Sequence, residues 1–251
     1  MLSGFNSGFS FCLTGYNNGF VSSAAAVVIP AETLVLYYDI SNLISYPGNG
    51  TTVIDLNGNS NATLYNTPTY SSGYLSFDPT SNEHLITNTS IASKVTTDVT
   101  SIAMWAYPMD NGVLLSERGA PSLLSGWHDS QMEMVAGSMK FGMWNGTEIS
   151  SIVSSVATPL NNWYHFVMVY DGTKLDAYVN NKHAGSVTFN RQNPIEGGAG
   201  IFYAIAGPDT TNIGDGTYAK MRLGGMQVYN IALGTQQVEK LFNDKKNQYG
   251  V

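Results

Sequence analysis

Two acidic loops carry the oxygen ligands that a calcium ion prefers. The first contains Asp78, Asn82 and Glu83 within "FDPTSNEHL", and the second contains Asp209 and Asp215 within "GPDTTNIGDG". Calcium binds several oxygens that converge from loops, and carboxylates and amide carbonyls supply them. Asp and Asn also shape turns by hydrogen bonding to their own backbone, without any metal. We therefore treat calcium as a candidate cofactor here, beside the interpretation that these residues only form turns.

Four aromatic side chains lie in segments that read as loops or strand ends. Trp127 precedes His128, and Trp144 precedes an Asn-Gly pair, while Tyr203 and Tyr218 flank the second acidic loop. Aromatic rings present flat apolar faces with a polar edge, which suits stacking against a sugar. These four residues are the candidate carbohydrate-binding residues, and burial beneath neighbouring strands is the alternative.

Enzymatic signatures are missing from the sequence. A retaining glycosidase needs two carboxyl groups about 5 Å apart, usually from alternating acidic residues of one strand, and no such run occurs. The four histidines show no ligand-like spacing. Neither the Gly-x-Ser-x-Gly elbow of serine hydrolases nor a glycine-rich phosphate loop is present. The sequence predicts a protein that is not an enzyme.

Charge and composition exclude two classes of partner. The chain carries a net charge of −7, and its first Lys or Arg is Lys94, so more than a third of its length has no such cation for a nucleic-acid backbone. The longest apolar patch, "AAAVVI" at 24–29, is too short to cross a bilayer, and no signal peptide precedes it. A single cysteine, Cys12, cannot form an internal disulfide. We expect neither nucleic-acid binding nor membrane insertion.

Turn signals divide the chain into short strands. Runs rich in β-formers flank three Asn-Gly or Asp-Gly pairs, at 111–112, 145–146 and 171–172. These pairs adopt the positive φ angles of tight hairpins, so the sequence predicts antiparallel sheets. In "WYHFVMVY", alternation places Trp163 and His165 on one face and Tyr164 and Phe166 on the other. Both faces are apolar, which predicts an interior strand whose aromatic residues, Trp163 included, belong to the core.

One helix is expected near the end of the chain. In "GTQQVEKLFNDKK", Thr235 can cap, and Val238, Leu241 and Phe242 recur with helical spacing. The lysines that follow suit the negative end of the helix dipole. The sequence thus predicts a short C-terminal helix docked beside the sheets.

Residues 1–30 differ from the rest, and we interpret them as an extended arm preceding a domain at 31–251. "GFNSGF" recurs as "GYNNGF", and the segment contains no charged residue. Its aromatic residues are the candidate partner-binding residues, namely Phe5, Phe9, Phe11, Tyr16 and Phe20. Without an apolar core of its own, such an arm is expected to become ordered only against a partner, for example by adding a strand to a sheet edge.

Three segments resemble the laminin G-like family. "NNWYHFVMVYDGTKLDAYVNNKHAGS" resembles its Trp-x-His strand, Tyr-Asp-Gly turn and following hairpin; "AKMRLGGMQVYNIALGTQQVEKLF" resembles its closing strand and helix; and residues 45–79 resemble its opening as found in large-virus and bacteriophage structural proteins. The resemblance covers about residues 33–246. It implies an all-β, concanavalin A-like jelly roll of two antiparallel sheets. Asn181 stands where relatives usually have glycine, and an Asn can still form that left-handed turn.

Two functions stay open on this basis. One is a non-enzymatic virion structural protein, a minor capsid, decoration or fibre component that binds other subunits through the arm and also contacts host glycans. The alternative is a carbohydrate-binding adhesin at a cell surface, assisted by calcium. Either protein can form homo-oligomers. The resemblance favours a location on a virus particle, with the extracellular surface as the alternative.

Overall fold

Sixteen strands and a C-terminal helix make up most of the computed structural model, which describes residues 26–95, 97–123, 130–145, 147–191, 200–208 and 216–251. In chain order the strands are β1 (Leu34–Asp39), β2 (Thr52–Val53), β3 (Ala62–Tyr65), β4 (Thr69–Ser71), β5 (Tyr74–Phe77), β6 (His84–Thr87), β7 (Thr100–Pro108), β8 (Gly112–Arg118), β9 (Ser130–Val135), β10 (Ser138–Trp144), β11 (Ile149–Val153), β12 (Tyr164–Tyr170), β13 (Lys174–Val179), β14 (Lys182–Thr188), β15 (Phe202–Ile205) and β16 (Met221–Tyr229). Helix α1 spans Thr235–Tyr249, and short 3-10 turns lie at Ala31–Thr33 and Pro79–Ser81. None of the described helices is both long and apolar enough to span a membrane.

The strands form two eight-stranded sheets. Sheet A has the order β14-β13-β12-β7-β16-β5-β4, with β1 also paired to β16, and sheet B has the order β11-β10-β9-β8-β15-β6-β3-β2. Neighbouring strands run antiparallel, as between β7 and β12 or between β8 and β9. The prediction of an all-β jelly-roll sandwich with two antiparallel sheets and one C-terminal helix is confirmed.

The centre of sheet A is buried on both faces. Its inner face packs on sheet B, and its outer face packs under α1 through a second apolar cluster that includes Val167, Val169 and Val238. Strand β12 shows the reason in sequence, because Phe166 and Met168 point into the inner core while Val167 and Val169 point to the helix. The prediction that this strand is apolar on both faces because it lies inside the fold is confirmed.

Two of the three predicted hairpins are present. Strands β10 and β11, which flank the first Asn-Gly pair, are paired antiparallel, and the turn at 171–172 joins the antiparallel strands β12 and β13. A further hairpin joins β13 to β14 through Asn180 and Asn181, whose φ angles are 48° and 63°. Asn181 therefore adopts the left-handed conformation expected where relatives usually have glycine.

The predicted hairpin at Asn111-Gly112 is wrong. Strand β7 before it belongs to sheet A, and β8 after it belongs to sheet B, so this turn carries the chain from one sheet to the other. Gly112 has φ +138°, and a Cβ there would lie 2.7 Å from the carbonyl oxygen of Tyr218. The glycine is required by this close backbone approach as well as by its φ angle, and not by a two-residue hairpin.

Helix α1 begins one residue earlier than predicted. Gly234 is the N-cap in place of Thr235, and its N–H donates to Oε1 of Gln237 at 2.9 Å. The helix ends at Tyr249, and its C-cap residue, Gly250, adopts a left-handed φ of 70°. Val238 and Leu241 are buried against sheet A, as the helical spacing predicted.

Residues 26–30, assigned to the arm from sequence, contact the domain. Ile29 packs against the apolar layer between sheet A and α1. Nε2 of Gln237 donates to the carbonyl oxygen of Val28 at 3.0 Å, although the Val28 side chain itself is 69% exposed. Phe5, Phe9, Phe11, Tyr16 and Phe20 all lie outside the described residues. A truncation that removes only the arm should therefore end at residue 25.

Candidate functional site

The first predicted calcium loop forms a closed turn. Asp78 Oδ1 accepts hydrogen bonds from the N–H and the hydroxyl of Thr80, at 2.9 and 2.7 Å. Glu83 Oε2 accepts from the N–H of Asp78 at 2.8 Å, and Asn82 adopts a left-handed φ of 55°. One carboxylate oxygen of Asp78 and one of Glu83 thus stabilise the turn itself, and calcium binding at this loop stays a prediction from sequence.

No group of three His, Cys, Asp or Glu side chains able to hold a metal ion occurs among the described residues. The second candidate loop, with Asp209 and Asp215, lies outside them. Calcium binding at that loop stays a prediction from sequence.

The predicted aromatic residues are not brought together. Trp127 lies outside the described residues, and Trp144 is half-buried at the end of β10. Tyr218 is half-buried with its ring centroid 5.9 Å from that of His84 on β6. Three strands separate β10 from β6 in sheet B, which corresponds to roughly 19 Å. Trp144 and Tyr218 therefore cannot bind the same sugar ring.

Tyr203 is a core residue, contrary to the predicted place on a rim. It is 1% exposed, and its hydroxyl donates to Glu117 Oε2 at 3.1 Å. The other oxygen of Glu117 lies 3.6 Å from Nη2 of Arg191, whose Nε lies 3.4 Å from Asp98 Oδ1. Burial, followed by the charge of Glu117, raises the pKa of Tyr203 well above its usual value, so the phenol keeps its proton. Tyr203 stabilises an internal ionic network rather than a binding surface.

An aromatic cluster with one cation occupies the outer face of sheet A beyond the end of α1. We call it the Arg222 cluster, and it consists of Tyr74 on β5, Tyr107 on β7, Arg222 on β16 and Trp163 just before β12. Strand alternation sets this face, because Leu75 and other neighbours in sequence point into the inner core. All four members are half-buried, so each keeps an exposed part.

Arg222 lies between two tyrosine rings. Its Cζ is 4.9 Å from the ring centroid of Tyr74 and 4.7 Å from that of Tyr107, within the range of cation–π contacts. Arg222 and Tyr107 are direct cross-strand neighbours in the pairing of β16 with β7. The two rings hold the guanidinium in place while its polar edge stays free to bind.

Trp163 extends the cluster toward the helix. Its ring makes edge-on contacts with Tyr74 and Tyr107, with centroids 5.9 and 5.6 Å apart. On its other side it lies 4.5 Å from the ring of Tyr249, in the last turn of α1. The sequence assigned Trp163 to the core, and the structure corrects this, because the ring is half-buried on the outer face.

Hydroxyl groups border the cluster. In the pairing of β16 with β5 and of β5 with β4, Arg222, Ser76 and Thr69 are successive cross-strand neighbours. Ser71 lies opposite Tyr74 in the next position, and Thr69 and Ser71 are both exposed. Aromatic faces, a guanidinium and hydroxyls on one surface can together bind a polar ligand that also has apolar faces.

The sequence held only a weak signal for this cluster. Arg222 is the one charged residue within "MRLGGMQVY", a strand that is otherwise uncharged, and it alternates with the buried Met221 and Leu223. This lone outward cation is the local signal that the sequence contains. Its two tyrosine partners are distant in sequence and could not be assigned without the strand order.

A second polar group lies on the outer face of sheet B. Gln131 and Glu133 alternate with buried methionines on β9, and Gln131 Nε2 donates to Glu133 Oε2 at 3.1 Å. Glu133 Oε1 also accepts from the N–H of Gly216 at 2.8 Å. Both side chains are fully buried. The neighbour of Glu133 on this face of β9 is thus the Gln131 amide. A paired-carboxylate enzyme needs a second carboxyl group at that position.

A cavity of about 80 Å³ lies between sheet A and α1. Trp105, His165 and Tyr249 are among its lining residues, beside the ion pair of Asp39 and Lys245 at 2.7 Å. Nδ1 of His165 is buried without a hydrogen-bond partner. Burial lowers the pKa of His165 to about 3, so this imidazole is neutral near pH 7.

The two sheets, the helix on the outer face and the surface aromatic residues define a jelly roll of the lectin type. A family model described as the concanavalin A-like lectin/glucanases superfamily, of the laminin G type, matches residues 78–239. The match covers more than half of the chain, and the chain therefore belongs to this family. The comparison with curated protein sequences gives no significant match.

Solved structures share the fold at low identity. A Trypanosoma rangeli sialidase in complex with sialic acid aligns with a TM-score of 0.63 and 15% identity, over 88% of this chain and 34% of that one. The binding domain of Paraclostridial Mosquitocidal Protein 1 aligns with a TM-score of 0.61 and 15% identity, over 86% and 53%. The binding domain of Botulinum Neurotoxin DC in complex with SialylT aligns with 0.61 and 10% identity, over 84% and 51%. The chain thus spans between a third and about half of these relatives, and the likeness shows the fold alone.

Proposed function

We propose that this protein is a non-catalytic carbohydrate-binding module and that it binds glycans at the Arg222 cluster. The observation that carries the proposal is three half-exposed aromatic rings, those of Tyr74, Tyr107 and Trp163, grouped on one surface of a lectin-type sandwich. Rings of this kind provide contact area at low conformational cost. Membership of a superfamily that includes lectins supports the proposal.

Substitution of Trp163 by alanine is expected to weaken glycan binding by about fivefold or more, because a stacked ring contributes on the order of 1 kcal/mol. The matched control is Trp144→Ala, which removes a half-buried tryptophan from sheet B. A glycan array identifies a ligand, and titration calorimetry then compares the variants. Since Trp163 is only half-buried, its loss should destabilise the fold by less than the ~3–5 kcal/mol of a core tryptophan. Loss of binding in Trp144→Ala alone would move the site to sheet B.

The absence of catalysis is part of the same proposal. Its support is the pairing of Glu133 with the Gln131 amide, which leaves this strand without a second carboxyl group on the same face. We expect laminarin, agarose and the glycans that bind to be recovered intact after incubation. Turnover that disappears when Glu133 is changed to Gln would refute this part.

A role in a particle or surface assembly is a second candidate. It is supported by two features at the N-terminal edge of the domain. Val28 is exposed beside α1, and residues 1–25, which precede the described residues, carry no charge. Deletion of residues 1–25 is expected to leave thermal stability nearly unchanged, because the contacts of Ile29 and Val28 are retained, and to prevent incorporation into particles or oligomers. Calorimetry and co-sedimentation test the two parts. Normal incorporation of the truncated protein would exclude an anchoring arm.

A further inference from the structure

Arg222 is a cation with no acidic partner in the part of the chain that the structure describes. It makes no hydrogen bond and no ion pair with any residue in the described ranges, and its Nε is buried without an acceptor. Its contacts are the two tyrosine rings. Arg191, by comparison, has the carboxylates of Asp98 and Glu117 within 4 Å. In a chain with a net charge of −7, an arginine held in place without an acidic partner is unusual.

The two tyrosine rings hold the guanidinium in place but accept no hydrogen bond from its N–H groups. A π-face attracts the cation but accepts none of its five N–H groups in plane. A planar guanidinium held in this way is pre-organised for two parallel hydrogen bonds to a carboxylate, so little conformational freedom is lost on binding. The geometry therefore favours an anion with two coplanar oxygens.

Resting on the function proposed above, we propose that the ligand of the Arg222 cluster is an acidic saccharide, a glycan whose sugar carries a carboxylate. The carboxylate pairs with Arg222, and the apolar face of a sugar ring packs against Trp163 or Tyr107. The hydroxyls of Ser76 and Thr69, next along the cross-strand row, face the polar edge of the same ligand.

Other anions fit the surface less well. A phosphate or sulfate polymer is recognised by several cations, and this cluster has one. An acidic peptide would use the cation but has no flat apolar ring for the exposed aromatic faces. A carboxylated sugar ring uses both, because its carboxylate and its apolar face are close together.

Paired saccharides that differ only in the carboxylate test the inference. The probes are sialyllactose with lactose, and an oligogalacturonate with its carboxyl-reduced form, each titrated against the full chain. We expect the wild type to bind at least one acidic member at least tenfold more tightly than its neutral partner. Raising the salt concentration should weaken that preference, since it depends on charge.

Arg222→Gln should remove this preference by lowering the affinity for the acidic probe to that for the neutral one. Arg222→Lys, which keeps the charge and loses the fork, should give an intermediate affinity. If Arg222→Gln fails to fold, Arg222→Lys tests the same preference. Thermal melting shows whether each variant is folded. Hexaglutamate is the peptide control and should not bind more tightly than the neutral saccharides.

The outcomes separate the two proposals. Equal binding of acidic and neutral probes, or a preference retained in Arg222→Gln, overturns the acidic saccharide while carbohydrate binding stands. Tight binding of hexaglutamate shows an acidic peptide in its place. Binding of none of the array glycans and none of the probes overturns both proposals.

Discussion

Replacing Arg191 with methionine is expected to lower the free energy of unfolding by about 3–5 kcal/mol. The side chain of Arg191 is 1% exposed and lies within 4 Å of Glu117 and Asp98. Removing it takes away a cation that lies beside both carboxylates, and weaker compensation of a buried charge is costly. Chemical denaturation at pH 7 measures the difference. The control is Lys240→Met, which breaks an exposed pair with Asp244 and should change stability by no more than about 0.5 kcal/mol.

A second substitution tests the cause. Adding Glu117→Gln to Arg191→Met removes one of the two stranded charges and keeps a hydrogen-bonding group beside Tyr203. The double variant is therefore expected to be more stable than Arg191→Met alone. If the two losses simply add, the destabilisation comes from lost packing of the arginine stem, and the electrostatic explanation is wrong.

Acid is expected to destabilise the protein through His165. Burial holds its native pKa at about 3, below the usual value of about 6.5, so the unfolded chain binds a proton that the native protein excludes. The native state therefore keeps its full stability above pH 6.5 and loses about 1.4 kcal/mol for each pH unit below it, down to the native pKa. At pH 4.5 the loss amounts to roughly 3 kcal/mol.

His165→Phe should abolish most of this loss between pH 6.5 and 4.5, because phenylalanine keeps the contact with Trp105 and takes up no proton. The measurement is the denaturation midpoint as a function of pH. Burial also lowers the pKa of His84, so His84→Phe is the comparison, and it should retain most of the slope. The window lies above the range in which Asp39, Asp171 and Asp176 titrate, since their pKa values are lowered. An unchanged slope in His165→Phe would show that another group carries the acid sensitivity.

Local patterns predicted most of the architecture. The alternation in β12 identified both of its faces, and the Asp-Gly turn and Asn181 marked true hairpins. The hairpin prediction at Asn111-Gly112 was wrong because an Asn-Gly pair indicates a positive φ angle. It does not indicate which strand the chain pairs with next. Here Gly112 also avoids the backbone of Tyr218, a contact between positions over a hundred residues apart that no local pattern contains.

The candidate site was much harder to predict than the fold. Tyr203 and Tyr218 looked equivalent in sequence, yet strand pairing places Tyr203 in the core and Tyr218 over His84. Arg222 gained its tyrosines only through the order β7-β16-β5, which places Tyr107 directly opposite Arg222 and brings Tyr74 two residues along β5 from Ser76, its other cross-strand neighbour. Side chains from three separate strands form this surface, so its composition depends on the register of the sheet.

Tyr249 is shared between the candidate binding surface and the helix that covers sheet A. Its ring lies 4.5 Å from that of Trp163 and 4.4 Å from that of Trp105, beneath α1. A ligand that immobilises Trp163 would thereby favour the docked position of the last helical turn, and a docked helix would favour the ligand to the same degree, because a coupling free energy is reciprocal. Slower amide hydrogen exchange in α1 would then report occupancy of a surface whose other side chains come from the strands and the segment before β12.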